Sequence, residues 1–211
     1  MRDFASSRRE MLERALALGI VSAGAGFASQ ILAAALESAS AQRPATPGAA
    51  LGPFYKARAP ANAQLRNAGD PGLPLVVSGQ VLDVRGAPVP QASVEIWQAD
   101  HIGKYDLEGY RYRARIVGDG VGSYSFESVM PGHYPGRVCQ HVHYRVTAPG
   151  HKPLVTQLYF ATDPIFEGDP ARNYARDPVI GSVELVRPVM LKGDPAEIHA
   201  DVRFDLVLET L

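Results

Sequence analysis

From Leu75 onward the chain is cut by turn-forming clusters into apolar runs too short for helices, several with the two-residue alternation of strands. The runs are "LVVSGQVLDV", "ASVEIWQAD", "GSYSFESV", "HVHYRVTA", "LVTQLYFA" and "ADVRFDLVLE", and the breaks include "RGAPVP", "GDGVGS", "MPGHYPGR" and "APGHKP". In "SVEIWQ" the residues Val94, Ile96 and Gln98 oppose Glu95 and Trp97; in the last run Val202, Phe204, Leu206 and Leu208 share a face. After residue 42 no stretch sustains a helical period. This pattern predicts an all-β domain, an antiparallel β-sandwich, over residues 75–211. Seventeen prolines and twenty glycines fit that reading, because a chain that is 46% hydrophobic is too apolar for disorder. The stretch "FEGDPARNYARDPV" (166–179) reads as a long polar surface loop, a place where function often sits.

The first 74 residues read differently. Arg8 and Arg9 precede an uncharged run over 15–36, and Ala39-Ser40-Ala41 offers small residues for cleavage. Residues 1–41 thus resemble a twin-arginine export signal, which implies a periplasmic or extracytoplasmic protein exported already folded. An uncleaved anchor, the only route by which this chain would meet a membrane, and an ordinary helix fit the same run. Residues 42–74 are a linker, "QRPATPGAA", and an extended arm, "LGPFYKARAP". The single Cys139 rules out an intramolecular disulfide framework, and a net charge of −1 without blocks of one sign leaves no footprint for nucleic acid.

The chemistry concentrates in "HYPGRVCQHVHYRV" (133–146), which holds three of the six histidines. On a strand, His141 and His143 point to one side. Such a pair can supply two metal ligands; alone it fits two surface or hydrogen-bonded histidines equally well. No cysteine pair, H-E-x-x-H or Asp-rich calcium loop accompanies it, which argues against the usual zinc and calcium sites. Tyr134 and Tyr105 do. A strongly Lewis-acidic ion can displace a phenolic proton, so a Tyr-Tyr-His-His set suits Fe(III), with Cu(II) the other sensible occupant.

Taken together, "VEIWQAD" followed by "GKY", "GSYSFESVMPGHYPGR", "HVHYRV" and "LVTQLYF" resemble the intradiol ring-cleaving dioxygenases, and "GPFY" (52–55) resembles that family's N-terminal segment. The resemblance spans roughly residues 50–210 and implies a β-sandwich enzyme with non-haem Fe(III). Its members (catechol, hydroxyquinol and protocatechuate dioxygenases) cleave a catechol between its hydroxyl-bearing carbons with O2, giving a cis,cis-muconate-type product. It makes Tyr105, Tyr134, His141 and His143 the metal ligands, with Tyr134 also serving as a base. It gives Arg137 and Gln157 roles beside the substrate ring. One departure stands out: better-known members read R-P-A-H before the histidine pair, whereas Arg137 lies four residues before His141. The helical dimerisation region of catechol 1,2-dioxygenases is not matched, so the chain looks closer to a protocatechuate-dioxygenase-type subunit.

The remaining polar and aromatic residues read more plainly. Trp97 reads as core packing, His101 and His133 as turn or surface histidines, and Arg113 and Arg115 as surface residues. The exposed arm and edge strands leave room for homo-oligomers. A metal-free β-sandwich binding module with a vestigial site is the alternative function.

Overall fold

The computed structural model describes residues 42–211, so the export segment expected over 1–41 lies outside the described residues. Ten strands are present: β1 (Pro74–Asp83), β2 (Ser93–Trp97), β3 (Arg113–Val117), β4 (Ser123–Val129), β5 (His141–Thr147), β6 (Leu154–Phe160), β7 (Val186–Arg187), β8 (Met190–Lys192), β9 (His199–Arg203) and β10 (Leu206–Leu208). They form two five-stranded sheets. Sheet one runs β10-β1-β9-β8 with β4 on β1, and sheet two runs β3-β2-β5-β6-β7.

The sheets are mixed, which corrects the antiparallel expectation. β9 and β10 run parallel to β1, and β7 runs parallel to β6. Hairpins can give only antiparallel neighbours, whereas β1 and β9 are separated by most of the domain, and so long a connection permits either direction. Turn spacing carries no record of that choice. The run "ADVRFDLVLE" is two strands, not one. Leu75 pairs with Ala200 and Val81 with Leu206, so β9 and β10 keep one register on either side of a break at Phe204 and Asp205. Strands β3, β7 and β8 had no counterpart in the sequence reading.

The inner faces follow from alternation. In β1, Leu75, Val77 and Val81 are buried; in β5, Val142, Tyr144 and Val146 are buried towards the same core. Tyr144 packs against Tyr124, Phe126 and Phe204 of sheet one at ring-centroid distances of 6.3, 6.3 and 5.2 Å. Each fully buried side chain of this size contributes about 1.5–3 kcal/mol.

The opposite face of sheet two would meet solvent but for the arm. Its backbone crosses the molecule from edge to edge. Thr46 N–H donates to the Val207 carbonyl and Ala49 N–H to that of Val155; the Pro60 carbonyl accepts from Arg115, and Leu65 N–H donates to Glu127 of β4. The arm is therefore laid down on the sheet. The stretch 166–179 is not a plain surface loop. It contains a helical turn at Pro170–Asn173 and another at Tyr174–Arg176, and it buries Phe166 and Asp177.

Candidate active site

Each of the four sequence-predicted ligands is held by local chemistry. Tyr105 lies between two carboxylate-organised turns. Asp100 Oδ1 accepts from the Ile102 and Lys104 N–H groups, and Asp106 accepts from those of Glu108, Gly109 and Arg111. Tyr134 opens a turn closed by Arg137 N–H donating to the Tyr134 carbonyl at 3.0 Å. Pro135 is second in that turn and Gly136 third at φ 85°, the type II pattern. The two tyrosine loops touch backbone to backbone, since a Cβ on Gly103 (φ 83°) would collide with the His133 carbonyl. His141 and His143 come from the arm-covered face of β5.

The four rings form a closed circuit. Centroid distances are 4.8 Å for His141–His143, 5.6 Å for His141–Tyr134, 5.6 Å for Tyr134–Tyr105 and 6.4 Å for Tyr105–His143. Tyr134 Oη is 3.2 Å from His141 Nε2. His141 Nδ1 lies 2.8 Å from the Cys139 carbonyl, which can only accept, so Nδ1 carries the proton and Nε2 presents its lone pair.

Burial sets the protonation states. Desolvation, with the Arg137 charge adding, lowers the His141 pKa to about 4. His143 is pushed well below the usual imidazole range by desolvation and by its neighbours His141 and Arg137. Desolvation also raises the Tyr105 phenol, and Tyr134 adds to the rise. The imidazoles are ready as neutral donors; the Tyr105 proton leaves only if a cation displaces it.

Tyr105 Oη and both ring nitrogens of His143 are buried without a hydrogen-bond partner. Such orphans are rare and cost about 1–3 kcal/mol each. A cation bound by Tyr105 Oη and one nitrogen of His143 would satisfy two of these three atoms. Among the described residues no three His, Cys, Asp or Glu side chains converge as a metal group. A cavity of about 680 Å3 lined by Arg66, Glu127, Ile198 and His199 contains none of the four rings.

Comparison with known proteins decides the family. Residues 50–210 match the family model described as "Dioxygenase". Over 92% of its length the chain is 31% identical to catechol 1,2-dioxygenase from Acinetobacter baylyi, spanning 72% of that protein. The chain belongs to the intradiol dioxygenase family. It is also 30% identical to hydroxyquinol 1,2-dioxygenase from Nocardioides simplex, over 85% of this chain and 71% of that one. Among solved structures, the dioxygenase domain of a dioxygenase–carbohydrate-binding fusion from Streptomyces sp. SirexAA-E superposes with a TM-score of 0.67 at 32% identity, covering 80% of this chain and 100% of that one. Catechol 1,2-dioxygenase from Acinetobacter sp. ADP1 gives 0.66 at 29% identity, with coverage of 86% and 68%. The chain is an intradiol ring-cleaving dioxygenase.

In this intradiol dioxygenase Arg137 is held by residues that neighbour the two histidines. Its Nη2 donates to Gln157 Oε1 and to Tyr159 Oη, both at 2.9 Å, and its Nε lies 3.8 Å from Asp177. Tyr159 Oη donates to the same Gln157 oxygen at 2.7 Å. Gln157 pairs with His143 across β5 and β6, and its Nε2 donates to the Ala50 carbonyl of the arm.

The sequence reading missed several residues here. Tyr159 and Asp177 complete the arginine's surroundings. Trp97 is not in the inter-sheet core: it stacks on His143. Arg113, read as a surface residue, is 3% exposed, and its guanidinium lies 5.7 Å over the Tyr105 ring. Phe54 stacks on Tyr105 at 4.2 Å. One signal was available: alternation places Trp97 on the face opposite Val94 and Ile96, and a large aromatic there calls for a cover. His133 is exposed but pairs at 3.0 Å with the buried Asp163, which also accepts from Gln140 N–H.

Proposed function

We propose that this chain is an Fe(III)-dependent enzyme that opens the ring of a catechol-type substrate between its two hydroxyl-bearing carbons, forming a cis,cis-muconate-type diacid with both atoms of O2. Tyr105, Tyr134, His141 and His143 would hold the ion. The observation that carries this reading is the set of buried, unpartnered atoms, Tyr105 Oη and both His143 nitrogens, beside the outward lone pair of His141. Two phenol oxygens and two imidazoles suit a hard trivalent cation. The catechol and hydroxyquinol substrates in the names of the relatives support the substrate class.

Bound there, Fe(III) would supply the Lewis acidity that binds a catecholate and makes its ring reactive towards O2. The protein supplies the rest. Tyr134, as the phenolate that a bound cation would create beside His141 Nε2, would be the base for a catechol proton. The Arg137 guanidinium, held by Gln157 and Tyr159, offsets negative charge on the bound ring in a desolvated site. The arm excludes water from His143 and Tyr105. The test is metal analysis and a visible spectrum of protein matured in iron-replete cells, titrated anaerobically with several catechols. A phenolate-to-iron band that shifts on titration is the expected result. Colourless, iron-free protein with no ring cleavage would overturn the reading in favour of a binding module.

Two further expectations belong to this reading. Arg8 and Arg9 support export by the twin-arginine route, which an Arg8→Lys/Arg9→Lys variant should block in a fractionation assay. Edge strand β8, with exposed Met190 and Leu191, supports a homo-oligomer, to be checked by sedimentation velocity.

A further inference from the structure

We propose that Arg113 is a positioning residue that fastens the arm across the site and, through the arm, fixes the ring of His143; the role in metal binding rests on the reading above. Four side chains lie in register across sheet two: Arg113 beside Trp97, Trp97 beside His143, and His143 beside Gln157. The arm runs along this row and is gripped at both ends. Gln157 Nε2 donates to the Ala50 carbonyl at 3.0 Å, and Arg113 Nη1 donates to the Phe54 carbonyl at 2.5 Å. Between the grips lies Gly52 at φ 74°, so close to His143 that a Cβ there would lie 3.1 Å from the ring Cε1.

His143 needs such support. The ring of His141 is oriented by a hydrogen bond to the Cys139 carbonyl, but neither nitrogen of His143 has a partner. Packing alone sets its angle. Trp97 lies against one face, and the arm at Gly52 meets the ring edge. Whatever loosens the arm loosens a histidine ligand that no hydrogen bond aims.

The surroundings of Arg113 fit this role. Its guanidinium makes no ion pair among the described residues, and its Nε is an unpartnered buried donor. A buried cation with no carboxylate is costly. What it holds is two backbone carbonyls from different segments, Phe54 of the arm and Asp106 beside Tyr105, the latter at 3.2 Å from Nη2. Guanidinium presents its donors as a rigid fork, which the point charge of lysine cannot reproduce.

Hydrogen exchange on metal-depleted, full-length protein tests the clasp without relying on iron. Arg113→Met should speed exchange across residues 50–56 by at least about tenfold while the β5 amides keep their protection. Arg113→Lys should fall between it and the parent, and exposed Arg115→Met should leave the arm unchanged. If Arg113→Met does not fold, Arg113→Lys reads the same segment. Iron-loaded variants then report on His143: arm opening should come with a shifted phenolate-to-iron band and a raised KM, both partly restored in Arg113→Lys. Parental arm protection in every folded Arg113 variant would overturn the clasp. A colourless parent protein would overturn only the metal reading.

Discussion

Trp97 lies flat against His143, with ring centroids 4.9 Å apart and planes 5° from parallel. The indole also meets the arm through Tyr55, whose ring is 5.0 Å away and whose hydroxyl donates to Glu95. Trp97→Ala would leave a cavity between β2 and the arm and is expected to cost about 3–5 kcal/mol. Trp97→Phe keeps an aromatic face on the imidazole and should cost less and hold more iron. Urea unfolding and iron content of the two variants check this.

Tyr105→Phe should separate stability from function. In metal-free protein its hydroxyl is a buried group with no partner, so removing it should stabilise the fold by roughly 1 kcal/mol. Iron content, colour and ring cleavage should collapse together. A Tyr105→Phe protein with full iron would remove Tyr105 from the ligand set.

The pH dependence of metal-free protein has a definite sign. The folded His141 pKa is about 4, against roughly 6.5 for an unfolded imidazole. In that window the unfolded chain binds a proton that the folded chain does not, so stability falls as pH drops from about 6.5 to about 4. The loss attributable to His141 is on the order of 3 kcal/mol. His143, held well below the usual imidazole range by burial, contributes a loss of the same sign. Urea midpoints at several pH values should trace this slope, and iron loading should flatten it by occupying both imidazoles.

Asp163 ties the segment carrying both histidines to the turn after β6. Its side chain is buried and accepts from Gln140 and Ile165 N–H groups while facing His133. Asp163→Ala leaves buried donors unpaired and should cost about 1–3 kcal/mol together with weaker iron retention. Glu209→Ala, which breaks an exposed pair with Lys152, should cost no more than about 1 kcal/mol. Thermal unfolding of both variants makes the comparison.

Much of the fold was legible because burial imposes a period of two. Alternation marked β2 and the run of β9 and β10, turn clusters bounded the other runs, and a spacing of two placed His141 and His143 on one face of β5. Strand direction was not legible, since β1 meets β9 through contacts that no local pattern encodes. Arg113 was hidden for a similar reason. A charged residue alternating on a strand reads as solvent-facing, and only the arm, about sixty residues earlier, turns that face inward. Tyr159 was hidden because the charged partner of its hydroxyl, Arg137, lies on a loop that no pattern within β6 encodes.

The arm contacts Val155 and Gln157, more than a hundred residues downstream of its own segment. During synthesis the stretch around Ala49 and Ala50 is made long before the β6 groups it bonds to, whereas the later part of the arm meets β3 and β4 sooner. The grip of Gln157 on the Ala50 carbonyl, and with it the cover over His143, therefore waits for residues near the far end of the chain.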